Sequence, residues 1–179
     1  LPMLEQANEI AASFNRNVGQ SILKPCSPLL SESTRLPGID GFSKMGKSLG
    51  NTLNLNASSD EILKIVKKMY TDPSHLKVSD PGRVRGNTVF SYLDAFYHDK
   101  EHLKELKAHY RRGGLGDSVV KKILSDCLIE LFEPFQKKRK ELTKEDMIET
   151  LKKGTYKAQE EAAITLSEVK KALGLGFNF

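Results

Sequence analysis

Two lysines, two serines and three glycines crowd the stretch Gly41-Phe-Ser-Lys-Met-Gly-Lys-Ser-Leu-Gly50. Glycine lets backbone N–H groups come close to an anion and adopts φ > 0 without strain. Lys44 and Lys47 add ammonium groups on flexible stems, able to flank a polyphosphate. The chemistry these residues suit is nucleotide phosphate binding.

Two patterns claim the same residues. From Gly41 to Ser48 the spacing satisfies the P-loop form G-x-x-x-x-G-K-[ST]. A P-loop follows a buried strand and opens a helix, but Pro37 and Gly38 stand where strand is required. The following Leu49-Gly-Asn-Thr-Leu-Asn-Leu-Asn56 is made of turn formers rather than helix formers.

From Lys44, the segment Lys-Met-Gly-Lys-Ser48 resembles the KMSKS signature of class I aminoacyl-tRNA synthetases, with Gly46 in place of the usual serine. Leu36-Pro-Gly-Ile-Asp-Gly41 precedes it and Ser48-Leu-Gly-Asn51 follows. Further along come Met69-Tyr-Thr-Asp-Pro73, Gly86-Asn-Thr-Val-Phe-Ser-Tyr-Leu93 and His109-Tyr-Arg-Arg-Gly-Gly-Leu-Gly-Asp117. Together, over nearly the whole chain, these resemble bacterial-type tryptophanyl-tRNA synthetases.

That resemblance implies ATP-dependent activation of tryptophan, release of pyrophosphate, and transfer of the acyl group to tRNA(Trp). It implies catalytic roles for Lys47, on the pyrophosphate side, and Lys44, on the triphosphate tail. Leu36 is expected against adenine, with Met45, Gly46 and Ser48 completing the nucleotide contacts. Mg2+ is expected only through ATP, and the intact enzyme as a homodimer. The family's other nucleotide signature, His-x-Gly-His, is absent, and Leu1–Ile10 looks like the family's segment just beyond the middle of the catalytic domain. The chain is therefore expected to be a C-terminal portion, inactive alone, with the tryptophan pocket upstream.

A net charge of +5 over 179 residues favours an anionic partner without identifying it. Arg111, Arg112, Lys121 and Lys122, in the helical module that the resemblance assigns to the anticodon, are the candidate RNA face; the alternative is solvated helix surface. Cys26 and Cys127 show no zinc or disulfide spacing, which fits a cytoplasmic protein, and no apolar run reaches membrane-spanning length. His98 and His102 share a helical spacing but lack a third ligand, so no metal site is expected.

Apolar periodicity predicts an opening helix through Met3, Ala7, Ile10, Ala11 and Phe14, then short strands at Ile22-Leu23 and Pro28–Leu30. Ser58-Ser-Asp-Glu61 predicts a capping box and a helix with Ile62, Ile65, Val66 and Met69 inward, closed by Asp72-Pro73. Later helices are predicted over Val89–Tyr97, up to Gly113-Gly114, from a cap at Asp117 through a bend at Pro134, from Thr143, and along Ala158–Leu173. The expected fold is mostly α: the end of a Rossmann-like α/β domain (1–51), a helical anticodon-binding domain (52–150) and a C-terminal helix (151–179). A P-loop NTPase and a bare RNA-binding helical module are the alternatives.

Overall fold

The computed structural model describes residues 1–31, 33 and 35–175. Six helices account for most of these residues: α1 (Pro2–Val18), α2 (Ser59–Lys68), α3 (Thr88–Phe96), α4 (Lys100–Arg112), α5 (Asp117–Glu141) and α6 (Lys144–Ala172). The chain divides into two compact units, Ser31–Glu141 on one hand and Leu1–Leu30 with Leu142–Phe179 on the other.

The Ser31–Glu141 unit holds the hydrophobic core. Ile62 and Val66 from α2 with Met69 just after it, Val89, Phe90, Tyr92 and Leu93 from α3, Leu103, Leu106 and Tyr110 from α4, and Val120, Leu124, Leu128 and Phe132 from α5 bury one cluster. At roughly 1.5–3 kcal/mol for each large apolar side chain, this burial is the main force holding α2–α5 together. Helix ends are set locally. Ser58 and Glu61 form the reciprocal capping box anticipated from sequence, Asn87 caps α3 through Val89 N–H, and Asp99 caps α4 through His102 N–H.

Several expectations need correction. α2 ends at Lys68, before Asp72-Pro73. In α5, which includes Pro134, it is Phe132 that is buried while Phe135 is exposed, because the core-facing stripe follows Val120, Leu124 and Leu128 at helical spacing. Gly113 has φ 86 and ψ 162, a glycine conformation outside the left-handed helical region. Asp117 is the first residue of α5 rather than its cap, and its carboxylate serves as an acceptor hub. Oδ2 accepts from Thr71 Oγ1 at 2.7 Å; Oδ1 accepts from Tyr110 OH at 2.6 Å and lies 3.2 Å from His75 Nδ1.

In the other unit, α1 carries Pro2 in its first turn and ends on Gly19 in the left-handed conformation, whose N–H bonds Arg16 O and Asn15 O. The short strands expected at Ile22-Leu23 and Pro28–Leu30 do not form; among the described residues there is no strand. A strand needs a partner edge, and this segment bonds to α1 side chains instead. Asn15 Oδ1 accepts from the N–H groups of Ile22 and Leu23, both at 3.0 Å, and Asn8 exchanges two bonds with Cys26. The two helices expected from Thr143 and along Ala158–Leu173 are one continuous α6, opened by a Thr143–Asp146 capping box and tolerating Gly154 inside.

Candidate polyphosphate-binding site

The loop from Leu36 to Asn51 folds by its own hydrogen bonds. Gly38 N–H donates to Ser43 O at 2.9 Å, and Pro37 and Lys44 form an isolated antiparallel bridge, so the chain doubles back before the lysines. Asp40 Oδ1 then accepts from the N–H groups of Phe42 and Ser43, each at 3.2 Å. This is the Asx-type turn that an aspartate before Gly-x-Ser favours. After Gly46, Lys47–Leu49 makes a single 3-10 turn that Gly50 closes at φ 62, with its N–H on Lys47 O.

Asn51 ties these pieces together, and sequence reasoning missed it. Its side chain is buried, its Oδ1 accepts from Gly46 N–H at 2.9 Å, and its Nδ2 donates to Asp40 Oδ2 at 3.0 Å and to Lys44 O at 3.2 Å. The Asn51 carboxamide is the leading cause, ahead of the Ser43 and Phe42 amides, of an Asp40 pKa below the ordinary carboxylate value. A Cβ on Gly38 would lie 2.2 Å from Asn51 Nδ2, so glycine there is what admits the asparagine. The only signal in the sequence was the run Ser48-Leu-Gly-Asn51, whose turn chemistry explained the asparagine without requiring a buried bracket.

The loop is fastened to α3 from below. Tyr92 OH donates to Pro37 O at 2.9 Å and lies 3.8 Å from Met45 Sδ. Burial, then the nearby Asp40 charge, pushes the Tyr92 phenol up to about 12, which keeps it a donor. Tyr70 N–H donates to Ile39 O and Thr88 N–H to Tyr70 O, extending the attachment.

Lys44, Lys47 and Ser48 are exposed, while Leu36, Met45 and Gly46 are half-buried beneath them. Among the described residues neither lysine has an ion-pair partner. The loop thus offers two unengaged cations and a hydroxyl on a fixed backbone, which fits a polyphosphate. The Gly46 amide, one of the expected backbone donors, is already taken by Asn51. A P-loop geometry is not what forms: a 3-10 turn, not an α-helix, follows Lys47, and no strand among the described residues leads in. Among those residues no group of three or more His, Cys, Asp or Glu side chains is placed to hold a metal ion. His102 Nδ1 is instead paired with Tyr97 OH at 2.8 Å.

Arg111 and Arg112 are exposed at the end of α4, and Lys121 and Lys122 lie near the start of α5. Lys121 Nζ donates to Lys67 O at 2.8 Å, and burial pushes its pKa down against the pull of Asp117. Lys122 pairs with Asp126 at 3.4 Å on the open surface. Tyr110 is fully buried and offers no stacking surface to a base.

A family model described as "tRNA synthetases class I (W and Y)" matches residues 2–133. The tryptophan–tRNA ligase of Clostridium longisporum is 49% identical over 181 residues, covering 99% of this chain and 53% of that protein. The ligase of the same name from Streptococcus pyogenes serotype M3 is 43% identical over 183 residues, covering 98% of this chain and 54% of its own length. A crystal structure of tryptophanyl-tRNA synthetase from Campylobacter jejuni, complexed with ADP and tryptophan, aligns with a TM-score of 0.70 at 27% identity over 96% of this chain and 53% of that one. The chain spans about half the length of the curated relatives it matches.

Proposed function

Because the chain belongs to the class I tRNA synthetases of the tryptophan and tyrosine type, we propose that it is the phosphate-loop and helical portion of a tryptophan–tRNA ligase. The proposed reaction joins the tryptophan carboxylate to the ATP α-phosphate, releases pyrophosphate, and then passes the acyl group to tRNA(Trp). Identity of 49% across 99% of the chain to a tryptophan–tRNA ligase is the observation that carries the choice of amino acid.

Attack on the α-phosphate builds negative charge on the equatorial oxygens and on the departing pyrophosphate. Lys47 is assigned to the pyrophosphate side and Lys44 to the triphosphate tail, since both ammonium groups are exposed and unpaired among the described residues. Ser48 is assigned a hydroxyl contact to a phosphate oxygen, Leu36 a face against adenine, and Met45 and Gly46 the backbone between the cations. Mg2+ would enter bound to ATP and neutralise phosphate charge there.

Arg111, Arg112, Lys121 and Lys122 are proposed as the RNA face, with Arg111 and Arg112 the stronger pair because Lys121 is tethered to α2. The division into a catalytic remnant (1–51), an anticodon-binding module (52–150) and a C-terminal helix (151–179) belongs to the same proposal, as do a homodimeric enzyme and a cytoplasmic setting. No helix among the described residues is long and apolar enough to cross a membrane.

The test is ATP–pyrophosphate exchange by the full-length protein with tryptophan and tyrosine supplied separately. Exchange that depends on tryptophan supports the reading. Exchange with tyrosine alone, or ATP hydrolysis without any amino acid, overturns it.

A further inference from the structure

We infer that Asn51 is a positioning residue for the two lysines, acting as a clip that fixes the backbone between them. The clip is defined by three bonds from one carboxamide. Oδ1 takes Gly46 N–H at 2.9 Å, and Nδ2 gives its hydrogens to Lys44 O at 3.2 Å and Asp40 Oδ2 at 3.0 Å. The two backbone partners bracket Met45, so one planar group spans the chain from Lys44 to Gly46 and leaves only one peptide link to Lys47.

Neither lysine side chain is held by anything else among the described residues, so their relative placement depends on this backbone. Gly46 makes the need acute, since a glycine between two functional lysines has the widest conformational freedom of any residue. Asn51 is itself over-determined. Its own carbonyl accepts from Ile39 N–H at 3.0 Å, Gly38 leaves room for its amide, and the Asp40 carboxylate is fixed by two backbone donors. Asparagine is required rather than aspartate, because the site needs one acceptor and two donors in a single plane, beside a carboxylate that would repel a second one.

The role rests on the proposed activation of tryptophan, and the test separates the two. In the full-length protein, Asn51→Ala is expected to lower kcat for tryptophan-dependent ATP–pyrophosphate exchange by about tenfold to a hundredfold, as a small misplacement of catalytic groups does. The KM for tryptophan should stay within about twofold, since the clip acts on the lysines and not on amino-acid binding. Combined with Lys47→Ala, the Asn51 change should add clearly less than it does alone, because only Lys44 is then left for it to position. Asn51→Asp should be as poor as Asn51→Ala, because a carboxylate has no hydrogen to give Lys44 O and faces the Asp40 charge. Absence of exchange in the unaltered protein would defeat the synthetase reading itself. Normal kcat in Asn51→Ala, full additivity with Lys47→Ala, or full activity in Asn51→Asp would each overturn the clip alone.

Discussion

Tyr92 in α3 donates its hydroxyl to the carbonyl oxygen of Pro37, 55 residues earlier in the chain, at 2.9 Å. This bond seats the Leu36–Asn51 loop on the helical core rather than leaving it to solvent. Tyr92→Phe removes the donor and leaves the half-buried Pro37 carbonyl unsatisfied, so a stability loss of about 1 kcal/mol is expected in chemical denaturation. An unchanged unfolding midpoint would show that the hydroxyl does not fasten the loop.

Asp117 holds a larger stake. Its carboxylate receives Tyr110 OH and Thr71 Oγ1 and faces His75, whose ring is packed against Tyr110 at a centroid distance of 4.6 Å. Asp117→Ala strands a buried phenol and a buried imidazole at once, and should lower stability by roughly 2–4 kcal/mol. Asp117→Asn keeps an acceptor for Tyr110 and should lose clearly less; equal losses in the two variants would argue against the hub.

Acid sensitivity follows from Asp72. Burial pushes its pKa up, but bonds from Ser74 N–H, Arg83 N–H and the Arg83 guanidinium outweigh burial and hold it at about 2, below the ordinary 3.8. A depressed carboxylate contributes stability that is complete above its unfolded value and is lost as pH falls through the folded one. The expected loss therefore lies between pH 3.8 and about 2. Urea midpoints measured across that window should fall less steeply in Asp72→Asn, and parallel curves would contradict the assignment.

Two glycines should respond to alanine with opposite signs. Gly113 has φ 86, and an added Cβ would sit 2.2 Å from Ser79 O, so Gly113→Ala should cost more than about 2 kcal/mol. Gly154 lies inside α6 with nothing within 4 Å of a new Cβ, so Gly154→Ala should stabilise that helix by roughly 0.5–1 kcal/mol. Thermal melts of the two variants check both signs.

Helices with strong local signals were legible in the sequence. The Ser58–Glu61 box and the spacing of Ile62, Val66 and Met69 placed α2, and the lysines of the loop stood out by type and spacing. Features that depend on distant partners were hidden. Ile22-Leu23 has the composition of a strand, yet it is Asn15 that takes up its backbone donors, and periodicity carries no record of that. Asp117 preceded a helix and looked like a cap, but Thr71, His75 and Tyr110 reach it from elsewhere in the chain. Asn51 lay just past the motif, and only the folded loop reveals which three groups its amide serves.

The most direct test of the account is Lys47→Ala in the full-length protein, assayed by tryptophan-dependent ATP–pyrophosphate exchange alongside equilibrium binding of tryptophan. Removing the cation proposed to meet the departing pyrophosphate should slow exchange by about a hundredfold or more, with tryptophan affinity nearly unchanged. Exchange at the unaltered rate would remove Lys47 from the chemistry and contradict the reading of this loop.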